Sequence, residues 1–253
     1  MKRLMLKKIG LVILIGLILS FSCGGKVTTR SNPTKYKFTI NGVVVKDLSL
    51  GKDIAYIKVL RDSVAFDTAV VKVGGYTLNN QKGGKYFKEA STLFNFGQNV
   101  SLSISSTKDS FSLDTSVIMP GSFYINQLPL DGDTLNPGGK SVKVTWSISL
   151  LASGYFLTVA TPDIVPGAVG FTKLVKGNEE TILPDAFRTT QGSLVEGVYE
   201  LYVIAYYGSF LEYPGMIFEL PIGLPTNNIE NANGTIGAGV VAQKKRIRVV
   251  VAQ

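Results

Sequence analysis

The sequence predicts an all-β protein: two tandem antiparallel β-sandwich domains that follow a signal peptide and a flexible tether. Short runs of valine, isoleucine, threonine and tyrosine alternate with polar residues along most of the chain, which is typical of half-buried strands. The 27 glycines and 10 prolines separate these runs at short intervals. Beyond residue 22 no stretch sustains the 3.6-residue apolar period of a helix.

Residues 1–22 have the layout of a secretory signal peptide. An uncharged apolar run over residues 9–21 follows four basic side chains, Lys2, Arg3, Lys7 and Lys8. About 13 apolar residues at 1.5 Å each give a helix of roughly 20 Å, which is shorter than the ~30 Å hydrocarbon core of a bilayer. A cleaved signal is therefore favoured, and an uncleaved anchor is the alternative.

Cys23, the only cysteine of the chain, comes directly after this run. Ser20, Phe21 and Ser22 lead into it, and the segment resembles a relaxed lipobox of bacterial lipoproteins, in which signal peptidase cuts before a cysteine that receives lipid. The resemblance implies lipidation of Cys23 and hence a membrane as partner. A lone cysteine cannot form an internal disulfide, and no histidine exists to share a metal site with it. An ordinary cleaved signal with a leftover thiol is the alternative.

Residues 23–34 predict a flexible tether, because they are small and polar and lack apolar periodicity. Gly24 stands where an aspartate would resemble the inner-membrane retention signal of Gram-negative lipoproteins. We therefore expect the bacterial cell envelope as location, and the outer membrane if the cell has one. The surface and the periplasmic side both remain open.

Residues 35–120 predict the first sandwich. Strand patterns recur in "KYKFTI", "AYIKVL", "AVVKV", "VSLSIS" and "SFSLDTSVIM". Gly74 and Gly75 lie between two β-prone runs and predict a two-residue hairpin turn. The stretch "MPGSFYINQLPLDGDTLNPGG" contains three prolines and four glycines, a concentration that predicts a domain boundary near Pro120.

Residues 121–253 predict the second sandwich. Trp146 lies in the alternating run "SVKVTWSI", the run "GYFLTVA" follows, and "LVEGVYELYVIAYYG" alternates apolar residues from Tyr199 to Ala205. These motifs resemble the fibronectin type III and related immunoglobulin-like sandwiches. The resemblance implies that Leu194 and Tyr199 form a tyrosine corner, in which the tyrosine hydroxyl bonds back to the chain.

Two segments depart from that family pattern. Residues 161–192 are longer than the family's connection, and residues 223–239 predict a long loop before the closing strand "KKRIRVVVAQ". Extra loops at the end of a sandwich are where binding sites are usually built.

The charge distribution argues against nucleic-acid binding. Removing the four basic signal-peptide residues from the formal net charge of +8 leaves +4, and part of this lies in residues 244–248. A nucleic-acid protein of this size usually carries a broader basic stripe. We expect residues 244–248 to be a solvated strand edge that resists pairing.

Catalytic and cofactor-binding patterns are missing. The chain has no histidine, which excludes histidine triads, bases and metal ligands, and it has no P-loop or dinucleotide fingerprint. Carboxylate pairs suitable for glycoside hydrolysis do occur, but solvent-facing acids are the favoured interpretation: Glu179 with Glu180, Glu196 with Glu200, and Asp131 with Asp133. The sequence therefore predicts a non-enzyme without a cofactor.

Two weaker ligand sites can be named. Asp131, Asp133 and Asn136 offer oxygen ligands for Ca²⁺, although a tight turn with side-chain hydrogen bonds explains them as well. Tyr207, Phe210 and Tyr213 surround a predicted turn and would form a ligand platform if exposed. Burial of these aromatic rings in the core is the favoured alternative.

Together these patterns predict a lipid-anchored bacterial envelope protein. We expect a non-catalytic binding or adhesion module that uses sandwich loops to bind an unknown protein or glycan. The alternatives are a periplasm-facing accessory subunit of an envelope complex and an accessory carbohydrate-binding lipoprotein of a hydrolase system.

Overall fold

The structure, a computed structural model, describes residues 37–127, 134–135, 141–160, 170–216, 220, 228–229 and 232–250. These residues form eighteen β-strands and one 3₁₀ helix, Pro184–Phe187, with no α-helix among them. Most strand pairs are antiparallel. The predicted all-β, antiparallel fold class is confirmed.

Nine strands lie before Pro120. They are β1 (Phe38–Asp47), β2 (Lys52–Arg61), β3 (Val64–Ala65), β4 (Val70–Val73), β5 (Tyr76–Thr77), β6 (Asn79–Lys82), β7 (Lys85–Ala90), β8 (Asn99–Ser106) and β9 (Phe111–Ile118). The predicted hairpin joins β4 to β5: Val73 pairs with Tyr76, and Gly74 and Gly75 have φ values of 56° and 85°. That left-handed backbone is the one glycine adopts without steric cost.

Nine more strands follow Pro120. They are β10 (Ile125–Gln127), β11 (Thr134–Leu135), β12 (Val142–Trp146), β13 (Gly154–Ala160), β14 (Phe171–Val175), β15 (Glu179–Ile182), β16 (Gly197–Gly208), β17 (Asn233–Val241) and β18 (Lys245–Val249). The long alternating β16 fits its sequence, because Tyr199, Leu201, Val203 and Ala205 all lie in the main core.

One eleven-stranded sheet organises the described chain. Its main path runs β11-β18-β16-β17-β1-β2-β7-β6, with β13 and β14 extending from β16 and β3 pairing with β2. Two smaller sheets, β5-β4-β8-β9 and β10-β12-β15, complete the fold.

The smaller sheets pack against the large one to form sandwiches. Phe38 of β1 stacks on Phe111 of β9 with ring centroids 3.8 Å apart. Trp146 of β12 approaches Tyr155 of β13 with centroids 5.4 Å apart. Buried residues from both ends of the described chain belong to one continuous core cluster.

The predicted tyrosine corner is confirmed. The Tyr199 hydroxyl, fully buried, donates a hydrogen bond of 2.9 Å to the carbonyl oxygen of Val195. Leu194 packs against the same core. The side chain therefore fixes the approach to β16 in the way the resemblance implied.

The predicted loop over residues 223–239 is wrong for its last part. Asn233–Val241 forms β17, which pairs with β1 on one side and with β16 on the other. The glycines that indicated a loop instead allow close packing: a Cβ at Gly237 would overlap the Ser209 carbonyl, and a Cβ at Gly239 would overlap the Phe210 ring.

Residues 244–248, expected to be a solvated strand edge, lie on and beside β18, and the side chains of Arg246 and Arg248 are exposed. β18 pairs with β16 over its full length, whereas β11 pairs only with Arg248 and Val249 on its other side. The Lys244 ammonium group lies 2.6 Å from the Glu200 carboxylate.

The large sheet crosses the predicted domain boundary near Pro120. β1, from predicted domain 35–120, pairs in parallel with β17, from predicted domain 121–253, over nine residue pairs from Thr39 with Asn233 to Asp47 with Val241. The division into two domains stays a prediction, and any test of it has to account for this shared pair of strands.

Candidate functional site

The large sheet has a second buried side, and the predicted aromatic platform lies there. The segment after β16 folds back over the sheet, where Phe210 stands 5.7 Å from the Phe156 ring and 6.2 Å from the Tyr213 ring. The buried members of this second core are Val43, Val45, Ile54, Phe156, Tyr202, Ile204, Tyr206, Phe210, Tyr213 and Val241.

The three candidate ligand-binding aromatic side chains, Tyr207, Phe210 and Tyr213, have little exposure to solvent. Phe210 is 0% and Tyr213 6% exposed, and Tyr207 is half-buried against the main core. The packing alternative fits these positions. Ligand binding by the three residues stays a prediction that their burial does not favour.

Other predicted positions lie outside the described residues: the signal peptide 1–22, the tether 23–34 with Cys23, and the calcium candidates Asp131, Asp133 and Asn136. Among the described residues, no group of three or more acidic, cysteine or histidine side chains is arranged to hold a metal ion. Nor does any helix in those ranges have the length and apolar character needed to cross a bilayer.

Two of the three predicted acidic pairs, Glu179 with Glu180 and Glu196 with Glu200, lie among the described residues. Glu179 and Glu180 form ion pairs with Lys143 at 2.9 Å and Lys173 at 2.7 Å. Glu196 is exposed, whereas Glu200 is 3% exposed. The two members of the last pair therefore stand in different environments.

Glu200 is the centre of a buried polar cluster. Its carboxylate accepts hydrogen bonds from the Tyr202 hydroxyl and, at 2.6 Å, from the Lys244 ammonium group. Burial raises the pKa of Glu200, whereas the hydrogen bonds from Lys244 and Tyr202 lower it. The lowering is larger, so the pKa lies below its ordinary value of 4.5. Burial, reinforced by the Glu200 hydrogen bond, raises the pKa of Tyr202.

The same cluster extends toward the turn between β1 and β2. Asp47 accepts hydrogen bonds from the backbone N–H groups of Ser49, at 2.9 Å, and Leu50, at 3.0 Å. Burial raises the pKa of Asp47 despite these bonds. Burial also raises the pKa of Tyr213, and the negative charge of Asp47 adds to that shift. Both carboxylates accept hydrogen bonds from groups of the chain itself, as buried polar groups of folded proteins generally do.

Large apolar side chains are exposed on a different surface, whereas Phe210 and Tyr213 are buried. Two adjacent segments expose four large apolar side chains: Tyr124 at 67%, Ile148 at 70%, Leu150 at 74% and Leu151 at 52%. We call this surface the apolar end patch. It lies where β12 turns into β13, at one end of the sandwich, where loops generally carry function.

Hydrogen bonds hold the two segments of the apolar end patch together. The Ser147 N–H donates to the Tyr124 carbonyl at 2.9 Å, and the Tyr124 N–H donates to the Ser147 hydroxyl at 3.0 Å. The Gly121 N–H donates to the Leu150 carbonyl at 2.8 Å. The patch is not among the sites predicted from the sequence, although its signal is present there: "SISLLAS" places apolar residues side by side in a connection between two strands.

No protein-family model matches the chain. No curated protein matches it either. Among solved structures, the chain is similar to one described as "Structures of Clostridium thermocellum CbhA fibronectin(III)-like modules", with 11% identity, a TM-score of 0.25, and coverage of 85% of this chain and 94% of that one. A similarity at this level assigns neither a family nor an activity.

Proposed function

We propose that the chain is a lipid-anchored protein of the bacterial cell envelope and acts as a non-catalytic binding module. One observation carries the proposal: the only cysteine, Cys23, stands directly between an apolar signal-like run and a polar stretch that leads to the folded body. Two or more acyl chains on such a residue make membrane binding stable, whereas one chain alone is marginal.

The body suits binding better than catalysis. The chain has no histidine, and the buried carboxylates of Glu200 and Asp47 are committed to hydrogen bonds within the chain. Sandwich folds commonly present binding loops at their ends. The ligand class is a protein or glycan of the envelope or of its surroundings.

The anchor is tested by replacing Cys23. Cells that express the parent or the Cys23→Ala variant are labelled with a radioactive fatty acid, and a Ser22→Ala variant serves as the matched control. We expect label in the parent and the control, and unlabelled, uncleaved precursor in Cys23→Ala. If Cys23→Ala is processed and labelled like the parent, the anchor is elsewhere.

The side of the membrane is tested by protease treatment of intact cells. An antibody against residues 232–250 follows the body, and a periplasmic protein reports on envelope integrity. Digestion of the body with the periplasmic control intact would support an outward-facing adhesion module. Protection until the envelope is opened would support a periplasm-facing accessory subunit.

A further inference from the structure

We propose that the apolar end patch docks onto the lipid bilayer that holds the anchor, so that the folded body lies against the membrane. This inference rests on the proposed lipid anchor. It also specifies what a flexible tether over residues 23–34 leaves open, namely how the body is placed relative to the membrane.

The patch is an outward tip and not a pocket. Ile148, Leu150 and Leu151 occur within four consecutive residues, and each is more than half exposed, at 70%, 74% and 52%. Tyr124 lies beside them at 67% exposure, and tyrosine favours the boundary between lipid headgroups and hydrocarbon. Contiguous exposed apolar surface of this kind marks an interaction site.

The tip is held in a fixed and unfavourable backbone shape. The Ser149 hydroxyl donates to the Gly121 carbonyl at 2.7 Å, and the Ser149 N–H donates to the Tyr155 hydroxyl at 2.7 Å. Leu151 has φ of 66°, a left-handed conformation that bulky residues rarely adopt. A leucine with strained backbone and exposed side chain contributes nothing evident to the core, which agrees with a role at the surface.

The surroundings in the sequence favour lipid over a protein partner. Residues 115–130 and 144–162 contain no lysine, arginine, aspartate or glutamate. Charged side chains oppose entry into hydrocarbon, whereas protein interfaces usually have a polar rim and are enriched in arginine. An apolar tip flanked by uncharged chain therefore matches a bilayer.

The anchor and the patch lie toward the same end of the large sheet. β13 starts at Gly154, which pairs with Tyr206 near the end of β16. β1 runs antiparallel to β16, and its first residues lie beyond that same end, because Ile40 pairs with Gly234 whereas Gly208 pairs with Gly237. A chain entering at β1 thus comes from the side on which the patch lies.

The tether is long enough to permit docking. Strands β13 and β1 are three strand spacings apart, or about 14 Å across the sheet. Residues 23–37 can extend to about 50 Å, so a lipid on Cys23 does not force the body away from the membrane. Docking of the patch would restrict this freedom and orient the sandwich.

The test places an environment-sensitive thiol dye on the patch. The full protein is purified from membranes as Leu150→Cys, with Ile148→Cys as a second reporter in case the first disturbs the loop. The matched control is Leu183→Cys, because Leu183 is 55% exposed and follows Ile182, which pairs with Val142 at the end of β12 remote from the patch. The proteins are reconstituted into vesicles of phosphatidylethanolamine and phosphatidylglycerol.

We expect a several-fold rise and a blue shift of fluorescence for dye on the patch, with quenching by spin-labelled lipid. Dye at position 183 should stay water-like and be quenched only by a soluble quencher. If dye at positions 148 and 150 behaves like dye at 183, the proposal is overturned. A response in native envelopes but not in lipid vesicles also overturns it, and identifies a protein partner instead.

Measurements on the parent protein distinguish failure of the docking proposal from failure of the lipid-anchor proposal. A lipidated Cys23 has no free thiol, so the parent should take no dye and should float with vesicles in a density gradient. If the parent takes dye and does not float, the anchor and the docking proposal fail together. If it floats while dye on the patch stays water-like, only the docking proposal fails.

Discussion

Asp53 offers the sharpest test of the described core. Its side chain stands on β2 opposite Lys46 of β1 and is 2% exposed. The carboxylate accepts hydrogen bonds from the Lys46 ammonium group at 2.9 Å and 3.0 Å, and from the N–H groups of Leu93 at 2.7 Å and Phe94 at 2.9 Å. One side chain therefore ties the β1–β2 hairpin to the segment after β7.

The expected loss in Asp53→Ala follows from these partners. Breaking a buried ion pair costs about 3–5 kcal/mol because the remaining charge stays buried, and the Lys46 side chain is only 12% exposed. Each buried N–H left without an acceptor costs about 1–3 kcal/mol. Since contributions that share one acceptor are not additive, we expect the free energy of unfolding to fall by about 4–6 kcal/mol.

Urea unfolding measures this loss. Trp146, the only tryptophan, is fully buried, so its fluorescence should change on unfolding, and circular dichroism follows the strands. Glu89→Ala is the matched control, because Glu89 and Lys52 form an exposed pair at 3.2 Å and such pairs contribute about 0–1 kcal/mol. If Asp53→Ala loses no more than Glu89→Ala, the carboxylate does not make these bonds.

Three further predictions use the same unfolding assay. Gly239→Ala should lose about 1–3 kcal/mol by overpacking, because its Cβ would overlap the Phe210 ring; Gly177→Ala, with no heavy atom within 4 Å of its Cβ, should change stability by about 0.5 kcal/mol or less, and equal effects would refute the packing argument. Tyr199→Phe removes a buried hydrogen bond of 2.9 Å and should lose about 1–2 kcal/mol; an unchanged midpoint would contradict the tyrosine corner. Because the pKa of Glu200 lies below its ordinary value of 4.5, its contribution is complete above that value and is lost as pH falls through the folded-state pKa; the difference between the parent and Glu200→Gln should shrink in acid, and a constant difference would refute it.

Local signals predicted the elements that depend on local chemistry. The hairpin at Gly74 and Gly75 follows from two adjacent residues that tolerate positive φ. The tyrosine corner needs only a short segment, since the Tyr199 hydroxyl reaches Val195 four residues earlier. The alternation in β16 likewise identifies one buried side without knowledge of the partner strands.

Pairing between distant strands could not be predicted in the same way. The contact between Asn41 and Thr235 joins residues 194 positions apart, and no local pattern specifies such a partner. The glycines within residues 223–239 indicate a loop, because glycine is an ordinary loop signal. In the structure, Gly237 and Gly239 make room for the segment that crosses the sheet, and the sequence alone does not distinguish a glycine needed for flexibility from one needed for close packing.

The same ambiguity explains why the predicted aromatic platform is buried while an aliphatic segment is exposed. Alternation in β16 defines an inward side, yet Tyr202, Ile204 and Tyr206 on the opposite side are buried as well. That second side requires a cover, and the segment with Phe210 and Tyr213 supplies it. Burial there is driven by the apolar area of the sheet and not by any feature of the covering segment alone. In the β12–β13 connection, by contrast, Leu150 and Leu151 stay exposed, and exposed leucines in a strained turn are better explained by a partner outside the fold than by the fold itself.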